Sequence, residues 1–109
     1  MAVPNFSLRQ LGYLVAVADA GSMTAAAETE HVSQAAISMG IHDLETRLGV
    51  QLLTRRPGHG VSFTEAGQSV LDDARRVLDA TTDLLSSAKA PGEELRGELK
   101  LGCFTTLTP

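Results

Sequence analysis

The sequence predicts a mainly α-helical fold in which three helices are followed by a short β-hairpin and then by a long fourth helix. Apolar side chains recur at helical spacing in three segments, and each segment follows a serine or threonine that can cap a helix. A glycine-rich basic loop also lies between two short apolar runs, which is typical of a hairpin.

Length and composition limit the class of protein. With 109 residues the chain has room for one small domain and an appendage, and its 43% hydrophobic and 20% charged residues are typical of globular proteins. The N-terminus lacks the basic and apolar regions of a secretory signal, and no apolar run approaches the ~20 residues that span a bilayer. We therefore expect a cytoplasmic protein without membrane attachment. Cys103 is the only cysteine, so no internal disulfide is expected.

The first helix is predicted to begin at Leu8 and to end at Gly21. Ser7 and Gln10 have the serine-to-glutamine spacing of a capping box, in which each side chain bonds the other residue's backbone amide. Glycine readily adopts the left-handed conformation that closes a helix. The apolar positions of this helix form one stripe, made of Leu8, Leu11, Leu14, Val15 and Ala18.

Two further helices are predicted, joined by a tight turn at residues 30–32. The first of them, residues 23–29, is short and rich in alanine, so a neighbouring helix can approach it closely. The second is predicted over residues 33–48, with Ser33 as its cap and Gly49 as its end. Two short helices joined in this way are the layout of a helix-turn-helix. The inward face of the second is predicted to be Ile37, Ile41, Leu44 and Leu48, and its outward face Ala35, Ser38, Met39, His42 and Thr46.

A β-hairpin is predicted after the third helix. Its strands are Val50–Thr54 and Val61–Phe63, and the loop between them, residues 55–60, contains Arg55, Arg56 and three small or turn-forming residues. The complete predicted fold is therefore a winged helix-turn-helix with cations in the wing.

A long helix is predicted from a cap at Thr64 to Ala90, before Pro91. Its apolar positions alternate spacings of four and three residues, as in a coiled-coil seam. The stripe can pack either on this chain's own core or on a second copy, and the length of the helix favours a second copy. The residues predicted to dimerise are Val70, Ala74, Val77, Leu78, Thr81, Leu84 and Leu85.

The last residues, 91–109, read as a linker followed by one alternating strand around Leu99 and Leu101. A single strand is not stable alone, so we expect it to begin a domain that this polypeptide does not contain. The predicted divisions are a winged helix-turn-helix at 1–64, a linker helix for dimerisation at 65–90, and this segment at 91–109.

Five short motifs carry a family resemblance, namely Ala26-Ala27, Val32-Ser33-Gln34-Ala35-Ala36-Ile37-Ser38, Leu44-Glu45, Leu48-Gly49-Val50-Gln51-Leu52-Leu53 and Phe63-Thr64-Glu65-Ala66-Gly67. Together they closely resemble the N-terminal domain of LysR-type transcriptional regulators. The resemblance implies a winged helix-turn-helix and a linker helix that pairs antiparallel with its mate. It further implies an effector-binding domain, through which such regulators bind a small-molecule effector and form tetramers. Residues 97–102 resemble the first strand of that domain.

Within that fold, Gln34 is predicted to be the principal base reader. It lies at the start of the third helix, the end that would enter the major groove, and its amide both donates and accepts, as adenine requires. Ala35 and Met39 could offer apolar contact to a thymine methyl group, and Ser33 could add a hydroxyl. The alternative for Gln34 is an amide that is merely solvated.

Contacts to phosphate are predicted for hydroxyl, guanidinium and imidazole side chains, because such contacts position a protein without specifying sequence. Any one of these groups could instead be a helix cap or a solvated side chain. The net charge of −4 is unusual for a DNA-binding chain and predicts weak non-specific binding. The predicted phosphate contacts are Ser22, Thr24, Ser38, Arg55, Arg56, His42 and His59.

The chain differs from the family's usual residues at several of these positions. Ala35 replaces a frequent proline, and His59 lies where an arginine is common. Met39, His42 and Asp43 occupy helix positions that often carry basic or amide side chains. These differences bear on affinity and sequence preference.

The overall prediction is a transcription regulator of the LysR type that binds double-stranded DNA at a dyad-symmetric site as a homodimer. No nucleophile with a base, phosphate cradle or metal-ligand spacing is evident, so neither an enzyme nor a metal or other cofactor is expected. The competing hypothesis is a protein-interaction module in which the long helix dimerises the chain. Binding that falls steeply with salt would distinguish a DNA reader from such a module.

Overall fold

A computed structural model describes residues 5–56 and 60–89, and for residues 55 and 56 it describes only the backbone. The helices are α1 (Leu8–Ala20), α2 (Met23–Glu30), α3 (Gln34–Leu48) and α4 (Glu65–Ser87), and the strands β1 (Leu53–Arg56) and β2 (Gly60–Phe63) lie between α3 and α4. The mainly α-helical prediction is confirmed. The strand and linker predicted at 91–109 lie outside the described residues, as does Ala90.

The chain divides into two compact units, residues 1–78 and residues 79–109. The first contains α1 to α3, the hairpin and the first part of α4. The described part of the second is the remainder of α4 and the two residues that follow it. Within residues 5–56 and 60–89, no helix combines the length and apolarity needed to cross a bilayer.

The predicted ends of α1 are confirmed by their hydrogen bonds. The Gln10 amide N–H donates to Ser7 Oγ at 3.1 Å, and the Ser7 amide donates to Gln10 Oε1 at 3.0 Å, which completes the capping box. Gly21 closes the helix with φ +87°, in the region that glycine adopts at no steric cost. Gln10 therefore serves the start of α1 with its amide oxygen and keeps its amide nitrogen for another partner.

The turn between α2 and α3 closes through two backbone bonds. The amide of Val32 donates to the Ala27 carbonyl at 3.0 Å, and the amide of His31 donates to the Glu28 carbonyl at 3.3 Å, the pattern of a Schellman motif. His31 adopts φ +59°, a left-handed conformation that non-glycine residues seldom take. The turn thus fixes the entry of the chain into α3.

The core lies between the first three helices and the beginning of α4. Ile37, Ile41 and Leu44 are buried as predicted, while Leu48 is half-buried. In α1 the predicted stripe was partly wrong. Leu11 and Leu14 are buried, but Val15 and Ala18 are half-buried and Leu8 is exposed. The other buried residues of this helix are Tyr13, Ala16 and Val17. Each aliphatic side chain of this core contributes about 1.5–3 kcal/mol through burial. The largest fully buried side chains are Leu14, Val17, Ile37, Ile41, Leu44 and Leu52.

The hairpin begins later in the chain than predicted. Strand β1 covers Leu53–Arg56 instead of Val50–Thr54, and it pairs antiparallel with β2 so that Leu53 lies opposite Phe63. Residues 50–52 are held out of the strand because the cap of α3 and a bond from Glu45 determine their path. The two arginines consequently belong to β1 and not to the loop.

The start of α4 is bound to the segment before the hairpin. Thr64 Oγ1 accepts from the Gly67 amide at 2.8 Å, as predicted for a cap, and donates to the Gln51 carbonyl at 2.6 Å. The Thr64 amide donates to the Leu52 carbonyl at 2.9 Å. Gly67 is buried, and a Cβ atom there would lie 2.1 Å from the Leu52 carbonyl oxygen. Only glycine allows this close approach.

The apolar seam of α4 is divided between two environments. Ala74 is 1% exposed and Leu71 is also buried, so this part of the seam packs on the chain's own core. The prediction that Ala74 contacts a second copy was therefore wrong, because its side chain has no free surface. Leu84 and Leu85, by contrast, are 67% and 62% exposed.

Candidate nucleic-acid interface

The outward face of α3 is exposed as predicted. Met39 is 71% exposed, Ala35, His42 and Thr46 are also exposed, and Ser38 is half-buried. This face borders a shallow groove of about 590 Å³ that reaches from Gln10, Ser38 and Met39 to Thr46. The buried residues of α3 pack the inner side of the helix against the core, and the side chains of its outer face remain accessible to solvent.

The hairpin lies beside this helix. Ser38 and His42 on α3 line a second groove, of about 330 Å³, together with Gln51 and Leu53 at the base of β1. Arg55 and Arg56 continue β1 beyond this groove, opposite Val61 and Gly60. His59, the remaining predicted phosphate contact of the wing, lies outside the described residues.

Two predicted contact residues, Ser22 and Ser33, are helix caps. Ser22 Oγ accepts from the Ala25 amide at 3.0 Å, and Ser33 Oγ accepts from the Ala36 amide at 3.0 Å. The helix caps predicted at Ser22 and Ser33 are thus confirmed. A capping hydroxyl accepts one hydrogen bond and still has its own hydrogen to donate, so the cap does not exclude a contact to phosphate.

Gln34 and Thr24 are brought together at the entry end of α3. Gln34 is the first residue of the helix and is exposed, and its Oε1 accepts from the Thr24 hydroxyl at 3.1 Å. Thr24 belongs to the first turn of α2. The bond therefore joins the beginnings of the two helices of the helix-turn-helix.

Asp43 forms a paired acidic site on the side of α3. Its Oδ2 atom accepts from Gln10 Nε2 at 2.6 Å and from Arg47 Nε at 3.0 Å. The guanidinium of Arg47 and then the amide of Gln10 hold the pKa of this carboxyl below its ordinary value. The carboxylate is thus matched by a cation one helical turn away, and it ties α3 to the start of α1.

The pKa of Asp43 leads to a test of acid stability. Because its pKa is lower in the folded chain than the unfolded value of 3.8, the paired carboxylate stabilises the fold above pH 3.8, and this contribution is lost as the pH falls further. Asp43→Asn is expected to lower the urea midpoint at pH 6 and to have a progressively smaller effect below pH 3.8. Exposed Glu28 provides a control through Glu28→Gln. A difference between wild type and Asp43→Asn that stays constant with pH would contradict the assignment.

Glu45 holds the base of the hairpin, a role that the sequence analysis did not assign. Its Oε2 atom accepts from the amides of Leu52 and Leu53 at 2.8 and 3.1 Å, and its Oε1 atom lies 3.9 Å from His42 Nδ1. The carboxylate therefore connects α3 to the first residue of β1. The Leu44-Glu45 motif was the available signal, but it did not identify the partner.

Replacing Glu45 is expected to destabilise the fold. Glu45→Ala removes the oxygen that accepts both hydrogen bonds and leaves two backbone amides at a partly buried site, so we expect a loss of about 1–3 kcal/mol in the free energy of unfolding. Urea unfolding monitored by circular dichroism measures this loss. Glu28→Ala, on the exposed face of α2, is the matched control. Equal midpoints for the two variants would refute the role of Glu45.

The fold and this site define the class of protein. Three helices, an exposed outer face on the third and a following two-stranded hairpin form a winged helix-turn-helix, an architecture of DNA-binding proteins. The family model for bacterial regulatory helix-turn-helix proteins of the LysR type matches residues 8–68. The chain belongs to the LysR family, and the resemblance noted in its motifs is confirmed.

Curated relatives extend this comparison. The HTH-type transcriptional regulator TcbR of Pseudomonas sp. (strain P51) is 43% identical over 98 residues, which cover 90% of this chain and 33% of TcbR. The DNA-binding transcriptional dual regulator OxyR of Escherichia coli (strain K12) is 41% identical over 103 residues, which cover 94% of this chain and 33% of OxyR. This chain therefore spans about a third of the length of the curated relatives it matches.

A solved structure supports the same fold. The DNA-binding domain of CbnR in its crystallised complex with DNA has a TM-score of 0.72 and 44% identity to this chain. The match covers 75% of this chain and 93% of the CbnR domain.

Within the described part of this chain, histidine, cysteine and carboxylate side chains do not form a group of three that could hold a metal ion.

Proposed function

We propose that this chain is the sequence-specific DNA-binding part of a transcription regulator and that it binds double-stranded DNA through α3 and the hairpin. The single observation that carries this proposal is the exposed outer face of α3, with Gln34 at its entry end and Met39 one turn further on. The DNA complex of the similar CbnR domain supports the same use of the fold.

Base reading is assigned to the first turns of α3. The Gln34 amide can accept from adenine N6 and donate to adenine N7, which is the bidentate pairing that identifies this base in the major groove. Met39 has a wholly apolar side-chain end, so it is suited to a thymine methyl group. Ser33 and Ala35 flank Gln34 and complete the proposed base-contacting set.

Phosphate contacts are assigned to the surrounding polar residues. Arg55 and Arg56, which belong to β1, are proposed to contact phosphate through their positive charge. Ser38 and His42, which line a groove on α3, are proposed to contact it as well. The guanidinium of Arg47 forms an ion pair with the Asp43 carboxylate, which reduces the repulsion between this carboxylate and a phosphate. The remaining proposed phosphate contacts are Ser22 and His59, whereas Thr24, which the sequence also predicted as one, donates its hydroxyl hydrogen to Gln34.

Dimerisation is assigned to the exposed part of the α4 seam. Val77, Leu84 and Leu85 are exposed and lie at seam spacing, so pairing with a second copy would remove them from water. Two copies related by a two-fold axis would read a dyad-symmetric site. Half-buried positions that can extend this contact are Val70, Leu78 and Thr81.

The rest of the regulator's activity is assigned to sequence outside this chain. Since the chain spans about a third of its curated relatives, we propose that effector binding and tetramer formation depend on the remaining two thirds. The described residues serve recognition and not catalysis. We propose that the protein acts in the cytoplasm, where its DNA is.

The test of the proposed function is selection of binding sites from a pool of random duplexes, carried out with the 109-residue chain at two salt concentrations. The expected result is enrichment of a dyad-symmetric site with an affinity that falls steeply as salt is added. No enrichment at either salt would overturn the proposal and would favour the alternative, a module that binds proteins through its exposed α4 leucines.

The dimer has its own test in Leu84→Asp. A charge at this exposed seam position should prevent helix pairing, so sedimentation is expected to give a dimer for wild type and a monomer for the variant. Ser86→Asp adds the same charge at an exposed site two residues from Leu84, on the opposite side of the helix, and should leave the dimer intact. A wild-type monomer, or a dimer that persists in Leu84→Asp, would contradict the proposed interface.

A further inference from the structure

The bond between Thr24 and Gln34 assigns a role to a residue outside the base-contacting set. We propose that Thr24 is a positioning residue, whose hydroxyl holds the Gln34 amide in the orientation that reads a base, and that it does not itself bind phosphate. The inference rests on the proposed function, because it concerns how the same interface obtains its sequence preference.

Both residues have well-defined backbone positions. Thr24 lies in the first turn of α2, which Ser22 caps, and Gln34 opens α3, which Ser33 caps. The Schellman turn at residues 31 and 32 joins the two helices, and Ala26 and Ala27 are buried beneath them. The 3.1 Å bond is therefore made between two side chains on fixed helix ends.

The arrangement suits a side chain that would otherwise be mobile. A free glutamine has three rotatable bonds, and it loses much of this freedom when it pairs with a base. A hydroxyl that already orients the amide in the unbound chain reduces that loss, which is the general benefit of preorganisation. Gln34 is exposed to solvent, and its hydrogen bond to Thr24 constrains the orientation of its side-chain amide.

The hydrogen-bond inventory of the pair is compatible with base reading. Gln34 Oε1 has two lone pairs, of which Thr24 occupies one, and its Nε2 has two hydrogens. One lone pair and one N–H group are what adenine requires, so Gln34 can keep Thr24 while it binds the base.

The count of hydrogen-bond donors also distinguishes a positioning role for Thr24 from the phosphate contact that the sequence predicted for it. A threonine hydroxyl has a single hydrogen, and in Thr24 that hydrogen is donated to Gln34. A phosphate oxygen only accepts, so Thr24 would have to release Gln34 in order to bind it. The two roles therefore exclude each other, and mutation can distinguish them.

The experiment measures binding of the full chain to its selected site, to every single-base variant of that site and to a random duplex. Thr24→Val, which keeps the shape and removes the hydroxyl, is expected to reduce discrimination by roughly two- to tenfold at the base pair where Gln34→Ala also reduces it. Binding to the random duplex should not change. Thr24→Ser restores the donor and should restore discrimination.

Two controls make the result specific. Thr29→Val removes another hydroxyl from α2, one that donates to the Ala25 carbonyl of the same helix, and should leave discrimination unchanged. Thr24→Val should also add no further loss in a Gln34→Ala background. Thr24→Ala repeats the measurement with a smaller side chain, and unfolding midpoints check that each variant is folded.

The outcomes are distinguishable. Equal losses on the selected and random duplexes, or a loss that adds to that of Gln34→Ala, would overturn the positioning role and make Thr24 a phosphate contact. If wild type itself selects no site, the proposed function fails together with this inference, and the wild-type measurement alone reveals it. If wild type selects a site and Thr24→Val reads it as wild type does, only the positioning role is refuted.

Discussion

Gly67→Ala is expected to lower the free energy of unfolding by about 1–3 kcal/mol or more, the usual cost of forcing an added methyl group into a packed site. The added Cβ atom would lie 2.1 Å from the Leu52 carbonyl oxygen and 3.0 Å from the Leu52 carbonyl carbon. These are backbone atoms, and the oxygen already accepts from the Thr64 amide. The clash can therefore be relieved only by moving α4 away from the hairpin base. Since small domains are stable by about 5–15 kcal/mol, the effect would be readily measured by urea unfolding.

The matched control is Gly12→Ala in α1. Gly12 is helical, and apart from its chain neighbours and the nearby backbone of its own helix, no heavy atom lies within 4 Å of the position of its added Cβ atom. Because alanine favours a helix over glycine by about 1 kcal/mol, this variant should be as stable as wild type or more stable. If Gly12→Ala and Gly67→Ala shifted the unfolding midpoint alike, the close approach of α4 to Leu52 would be disproved.

The second large effect is expected in DNA recognition. Under the proposed function, Gln34→Ala should reduce preference for the selected site by about 1–3 kcal/mol per half-site, because it removes a base contact. Arg55→Ala should instead weaken binding to all duplexes similarly and reduce the salt dependence by about one counterion. Titration of selected and random duplexes at several salt concentrations measures both quantities.

The contrast between these two variants is the informative result. Equal losses on selected and random DNA for both Gln34→Ala and Arg55→Ala would contradict the division between base reading and phosphate binding. A loss of preference in Arg55→Ala alone would move base reading from α3 to the hairpin.

Local signals made the helix ends of this fold predictable. Ser7 and Ser33 are caps and Gly21 and Gly49 are closing residues because each acts on backbone groups within four positions along the chain. The inward face of α3 was predictable for the same reason, since helical periodicity alone places Ile37 and its neighbours on one side. Such features depend on residues that are close to one another in the sequence.

Features that join distant residues were not predictable. Strand β1 starts at Leu53 because a carboxylate eight residues earlier, on Glu45, accepts its amide. The stripe of α4 has one uniform period, yet Ala74 is buried in the core and Leu84 is 67% exposed. Periodicity shows that a face is apolar but does not identify what covers it.

The candidate site followed the same division. Gln34 and Met39 were identified from their residue type and helical position, and both are exposed as expected. The bonds that organise the site were missed, because Thr24 is ten residues from Gln34 and Gln10 is thirty-three from Asp43. Glutamine and aspartate form such bonds on many surfaces, so their presence in the sequence does not identify a partner.

The double attachment of Leu52 has a mechanical consequence. Its amide is held by Glu45 of α3, and its carbonyl is held by the amide of Thr64 at the beginning of α4. A displacement of the first turn of α4 would therefore be transmitted through Leu52 to α3. The outer face of α3 is thus coupled to the start of the following helix by the backbone of a single residue.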